Sequence, residues 1–227
     1  MRVLLERNRG GSYLTSLIVG IGLFAMFLFL GLYLQVVLHY SPVKAGFAFL
    51  PFAVGIILTA GVAANLLPKV GPRPLMVPGL LLGAAGLLFL SRITPTTNYW
   101  THVFPAMIMM SVGMALNFIP VASTSLHGVG GRDAGVASAL INTSQQVGGS
   151  LGTALLNTVA TTAATSFIVA NGAHLGAKVV PYGLTHGYTE AFKVGAGFML
   201  LAAIVVLAMI RVGKDALKED DVPAMIG

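Results

Sequence analysis

The sequence predicts an all-α membrane protein with six spanning helices, and three observations predict it. The 227 residues are 56% hydrophobic and only 9% charged, with a mean hydropathy of +0.87; a soluble domain carries roughly 25% charged residues. The apolar residues fall in six runs, at about 13–38, 45–67, 75–91, 103–126, 134–160 and 191–210. Each meets or approaches the ~20 helical residues that cross a hydrocarbon core of about 30 Å. The separators are short and hold Gly, Pro and basic residues, so consecutive helices are antiparallel neighbours in a single bundle covering 1–227.

The first run far exceeds the 7–15 apolar residues of a signal-peptide core and no cleavage site follows it, so it is expected to stay in the membrane. Gln35 is its lone amide. Ser41-Pro42 supplies an N-cap and a proline at N1 for the second run, which carries Thr59 and Asn65 and is expected to end at Pro68, with Gly71, Pro72 and Pro74 behind it. The third run is the shortest. Like the sixth after Lys193, it is apolar on all sides, the pattern of a lipid-facing rim. The fourth carries Asn117 and Ser123-Thr124-Ser125 and is stopped by the segment from His127 to Gly131. The fifth lies in a stretch without Asp, Glu, Lys or Arg from Ala134 through Ala177. Asn171, Gly172 and Pro181 mark 161–190 as an external loop, and 211–227 as a tail completes the chain.

Lys and Arg set the orientation. With the N-terminus in the cytoplasm, the inner segments hold Arg2, Arg7, Arg9, Lys69, Arg73, Arg132, Arg211, Lys214 and Lys218, against Lys44, Arg92, Lys178 and Lys193 outside. Both termini are then cytoplasmic, and Tyr99 and Trp100 belong to an outer aromatic belt. The five histidines, His39, His102, His127, His174 and His186, all fall at membrane borders and read as interfacial side chains.

Polar side chains inside the runs carry the functional content, because the hydrocarbon core offers no water and such groups turn toward other helices or a wet cavity. Helices one, two, four and five hold nearly all of them and form the central group. On the fifth, Gly135, Ser138, Asn142, Gln145, Gly149 and Gly152 step by three and four into one stripe, flanked by Gln146 and Thr153. Gly148 and Gly152 make a G-x-x-x-G that admits a neighbouring backbone. The amides have two readings: hydrogen bonds to neighbouring helices, or the lining of a cavity that meets substrate or water. The candidates for lining are Gln35, Asn117, Ser138, Asn142, Gln145 and Gln146, with Gly148, Gly149 and Gly152 as packing positions.

Several function classes are excluded. Without cysteine there is no disulfide and no thiolate metal site. The net charge of +6 is spread between apolar runs and forms no nucleic-acid patch; lipid headgroups are the partner that fits it. No Asp or Glu lies deep in a run: Asp133 and Glu190 are expected at helix starts. An intramembrane hydrolase therefore lacks its acids and metal ligands, no phosphate-binding glycine loop is present, and no cofactor is expected.

Three blocks together carry a family resemblance: "FLFLGLYLQVVLHYSPVKAGFAFLPFAVG" (Phe27 to Gly55), "GVASALINTSQQVGGSLGTALL" (Gly135 to Leu156) and "HGYTEAF" (His186 to Phe192). In order and across nearly the whole chain, they resemble the C-terminal half of a fourteen-helix multidrug proton antiporter of the major facilitator superfamily. The resemblance implies a bundle of three plus three inverted helices in a bacterial cytoplasmic membrane. It also implies efflux of amphipathic small molecules in exchange for protons, and a missing N-terminal half or a second copy to close the cavity. The superfamily's cytoplasmic loop G-x-x-x-D-R-x-G-R-R is matched only by Lys69, Gly71 and Arg73; Ala64, Pro68 and Pro72 replace its other positions, and a positive-inside anchor is the simpler reading. A non-transporting scaffold or assembly protein, or a truncated fragment, is the alternative.

Overall fold

A computed structural model describes residues 6–126, 128–129 and 133–211. Arg2, His127, Gly130, Gly131, Arg132, Lys214 and Lys218, and the tail beyond Arg211, lie outside the described residues. The described chain is helical with no strand: α1 (Arg7–Leu32, prolonged by a π turn Tyr33–Val37), α2 (Pro42–Ala48), α3 (Leu50–Val70), α4 (Arg73–Leu90), a π turn Tyr99–Val103 leading into α5 (Phe104–Leu126), α6 (Ala134–Leu175) and α7 (Val179–Met209). Five segments among the described residues are long and apolar enough to cross a membrane, the last being Ala134–Met209. That segment is folded in two at the turn Gly176–Lys178, where Gly176 takes φ +52°, and α6 and α7 pack along each other.

The hairpin corrects the expected external loop at 161–190 and the expected start of the last helix at 191. Each residue that reads as a breaker is accommodated. Asn171 stays helical and donates from Nδ2 to the Phe167 carbonyl at 2.9 Å. Pro181 occupies the first turn of α7, where a missing N–H costs nothing. Small residues then hold the two helices together, because a Cβ on Gly187 would come to 3.1 Å from the carbonyl carbon of Ala160, and one on Gly183 to 3.2 Å from the Ala164 oxygen.

The second span is also redrawn. Ser41 does cap a helix, accepting from the Lys44 N–H at 3.3 Å, with Pro42 at N1, but that helix is the short α2. The chain bends at Phe49 and restarts as α3, which runs through Pro68 and stops at Gly71. Gly71 has φ 85° and ψ 170° while its N–H reaches the Leu67 carbonyl at 2.9 Å, a backbone that suits glycine.

The helices form two layers. The pairs α3 with α5, α5 with α1, and α1 with α6 make a row of four; α4 and α7 pack on each other behind it, α4 also along α5, and α7 also along α1 and α6. α4 and α7, apolar on all sides in sequence, divide in the structure into two faces. Each buries one face, with Met76, Leu80 and Leu87 on α4 and Phe192 and Met199 on α7, and exposes the other, with Leu88 and Ile204. Phe29 of α1 meets the rings of Tyr188 and Phe192 at 5.7 and 6.4 Å. Glycines close the α4–α5 contact: a Cβ on Gly79 would stand 2.8 Å from the Gly113 oxygen.

One end of the bundle is stitched by arginines. Arg7 donates to the Ala208 carbonyl at 2.6 Å and Arg9 to the Gly128 carbonyl at 3.1 Å, while the Arg211 N–H donates to Asn8 Oδ1 at 2.8 Å. Cations thus sit on the carbonyl end of α7 and on the turn after α5, where helix dipoles favour them.

Candidate functional site

α1 and α6 run parallel, and the backbone contact between them sorts the polar residues of α6. A Cβ on Gly152 would lie 2.7 Å from Ile21 Cα, one on Gly148 would strike the Leu17 carbonyl, and one on Gly149 would strike the Phe24 ring. Gly148, Gly149 and Gly152 are buried against α1, and the half-buried Gln145 lies beside them, its carbonyl facing Gly20. Asn142 and Gln146 are exposed instead, one turn apart on the open side of α6, and Ser150 continues their line. Ser138 is half-buried. The expected single stripe is therefore two adjoining surfaces, one of small residues that packs and one of amides that does not.

Hydrogen bonds separate the two readings of the amides. Asn142 donates to the Ser138 carbonyl at 3.3 Å and Gln35 to the Gly31 carbonyl at 3.3 Å, each within its own helix. Ser150, Thr153 and Thr158 also donate one turn back, at 3.0, 2.8 and 3.0 Å. Among the described residues, none of Gln35, Asn117, Asn142, Gln145 and Gln146 bonds a neighbouring helix through its side chain.

The candidates do not converge on one pocket. With Leu17 beside Gly148 and Gly20 beside Gln145, Asn142 stands level with the first turns of α1, while Gln35 is about 20 residues farther along, roughly 30 Å at 1.5 Å per residue. Gln35 falls in the π turn at the far end of α1, exposed. Asn117 is only 1% exposed, inside the bundle, with neither Oδ1 nor Nδ2 hydrogen-bonded; the hydroxyls of Thr15 and Thr124 are buried and unpartnered likewise. Lys69 and Arg73 are exposed on either side of Gly71, at the end of the bundle where α3 hands over to α4.

Glu190, expected at a helix start, lies inside α7 and pairs with Lys193 at 2.6 Å. Among the described residues, no group of three His, Cys, Asp or Glu could hold a metal ion. Sequence reasoning did not single out the polar edge beyond Gln146, where Ser150, Thr158 and Thr162 are exposed; their i, i+8 and i+12 spacing was the available signal.

The Major Facilitator Superfamily profile matches residues 2–153. The puromycin resistance protein pur8 of Streptomyces alboniger is 43% identical over 220 residues, covering 96% of this chain and 43% of the relative. A multidrug resistance protein B homolog of Mycobacterium tuberculosis is 29% identical over 232 residues, covering 92% of this chain and 43% of the relative. The cephamycin export protein CmcT of Amycolatopsis lactamdurans is 34% identical over 198 residues, covering 86% and 38%. The chain spans less than half the length of these relatives. A helical bundle with apolar spans, an amide-bearing open edge and this profile over most of its length lead to one conclusion: the chain belongs to the Major Facilitator Superfamily of membrane transporters.

Proposed function

We propose that this chain is the C-terminal half of a fourteen-helix multidrug efflux transporter, extruding amphipathic small molecules in exchange for protons across a bacterial cytoplasmic membrane. The observation that carries the reading is the open edge of α6. Among the described residues, Asn142 and Gln146 are exposed and bond no other helix, so gluing this bundle together is not their role. Amides left facing acyl chains are unfavourable. A hydrated cavity shared with a second bundle accommodates them, and the names of the relatives support drugs as the cargo.

The packing supports a three-plus-three inverted repeat of six spans. Exchanging α1 with α5, α3 with α6 and α4 with α7 turns the α1–α6 contact into α5–α3 and the α4–α5 contact into α7–α1. The arginine-stitched end with Arg7, Lys69 and Arg73 is the cytoplasmic one, holding both termini. Among the described residues, Glu6 and Asp133 precede α1 and α6 and Glu190 is paired with Lys193, which supports carboxylates for proton coupling being supplied by the other half. Alternating access is the rocking of this bundle against its partner.

The test is to coexpress the chain with a first-half bundle from a related transporter and measure extrusion of a fluorescent cationic dye. Extrusion by the pair, and by neither half alone, is expected. A pair that reaches the membrane together and extrudes nothing contradicts the reading and favours a scaffold.

A further inference from the structure

A cavity of about 590 Å³ opens between the α2–α3 bend and the start of α5, at the end of the bundle opposite the arginines. Tyr40, Phe47, Tyr99, Trp100 and Phe104 line it, as do Leu58 and Ile108, the lining residues farthest along α3 and α5 from the Lys44 end. α2 gives way to α3 at Phe49, and the Tyr99 hydroxyl holds that junction by donating to the Ala48 carbonyl at 2.7 Å. The cavity lies apart from the amide edge. α1 covers the other side of α3, where the Phe27 ring packs on Phe49 and Phe52 at 5.4 and 5.2 Å.

Its chemistry is one-sided. Among the described residues Lys44 is the only charged side chain in the lining, and its ammonium sits 3.9 Å above the Tyr40 ring at the mouth. No carboxylate answers it among the described residues, because Glu6 and Asp133 stand at the opposite end and Glu190 is paired with Lys193. Below Lys44 the walls are apolar. Tyr99 to Ile108 is nine residues, a drop of about 13 Å in helical geometry, which is close to one leaflet, about half of a ~30 Å hydrocarbon core.

We propose that this cavity is a binding site for one anionic phospholipid of the surrounding bilayer, its phosphate on Lys44 and an acyl chain between α3 and α5 toward Leu58 and Ile108. A cation fixed at the border above an apolar slot one leaflet deep matches the shape and charge of such a lipid. The inference rests on membrane residence alone and stands or falls apart from drug transport.

Trp100 is the chain's single tryptophan and is 68% exposed in the cavity wall, so it reports occupancy directly. The full chain is placed in nanodiscs of phosphatidylcholine, and brominated-acyl phosphatidylglycerol or brominated-acyl phosphatidylcholine is added while Trp100 fluorescence is read. One lysine near an anionic surface attracts by about 1 kcal/mol, so half-quenching is expected at an about fivefold lower fraction of the glycerol lipid. Lys44→Gln should abolish that preference, and Lys44→Arg and Lys193→Gln should keep it. Equal quenching by both lipids in the parent chain overturns the proposal, as does a preference that survives Lys44→Gln. If Lys44→Gln does not fold, the parent comparison still decides. Trp100 shielded from both lipids means that a second copy of the chain covers the groove, and also overturns it.

Discussion

Alanine at Gly148 or Gly152 is expected to loosen the bundle by separating α1 from α6. The added Cβ at Gly152 stands 2.7 Å from Ile21 Cα, and that at Gly148 stands 2.7 Å from the Leu17 carbonyl carbon; carbon atoms rest at about 3.5–4.0 Å. Both obstacles are backbone, so no side chain can swing aside, and the helices have to part by roughly 1 Å over a contact that runs through the middle of α1. Overpacking of this kind costs about 1–3 kcal/mol. Alanine also gains about 1 kcal/mol of helix propensity over glycine, and that gain is removed by comparison with Gly61→Ala and Gly197→Ala, where a Cβ meets nothing within 4 Å. At about 2–4 °C per kcal/mol for a chain of this size, the contact variants should melt roughly 2–12 °C below the controls in nanodiscs. If all four variants melt together, α1 and α6 do not meet at these glycines and the sorting of the α6 residues into two surfaces is wrong.

Other outcomes follow from the same geometry. Gly71→Ala forces a side chain onto a backbone at φ 85° and ψ 170°, and should lower stability by about 1–3 kcal/mol, read as a lower melting temperature and lower membrane abundance; an unchanged protein contradicts the α3 cap. Asn117→Leu removes two buried unpaired polar atoms, each worth about 1–3 kcal/mol unsatisfied, for a similar volume. Its melting temperature should hold or rise, and a fall shows that the amide has a partner.

The spans were legible because hydropathy is a property of local sequence: runs of apolar residues near bilayer length announce themselves whatever they pack against. Their ends were not, because breakers act only in context. Pro68 and Asn171 sit inside helices, and Pro181 is harmless in a first turn. Ser41-Pro42 announced the start of α2, but its early end at Phe49 and the π turns at Tyr33 and Tyr99 had no counterpart in the residue pattern.

On α6 the helical period was right and the sector was too wide. Gly135, Ser138, Asn142, Gln145, Gly149 and Gly152 spread over about 100° of the helix, enough for α1 to cover one edge and leave the other open. Asn117 and Asn142 look alike in sequence, each an amide in an apolar run, yet one is sealed in the bundle and the other exposed. Only the neighbouring helix decides which. The glycine contacts Gly79 with Gly113 and Gly187 with Ala160 join residues far apart in the chain, so spacing within one helix could not pair them. The aromatic cavity around Lys44 was invisible for the same reason, since α2, α3 and α5 each supply only part of its wall.

The central claim is that the amide edge of α6 faces water inside an assembled transporter. The chain contains no cysteine, so single substitutions report cleanly: Asn142→Cys and Gln146→Cys on that edge, and Ile204→Cys on α7, where the native side chain is 60% exposed on the outer face. Each is introduced into the chain paired with a first-half bundle and challenged with a membrane-impermeant maleimide, with and without transported drug. Reaction at positions 142 and 146, slowed by drug, with none at 204, is the predicted result. Positions 142 and 146 as unreactive as 204 in every condition would place the amides against lipid and contradict the account.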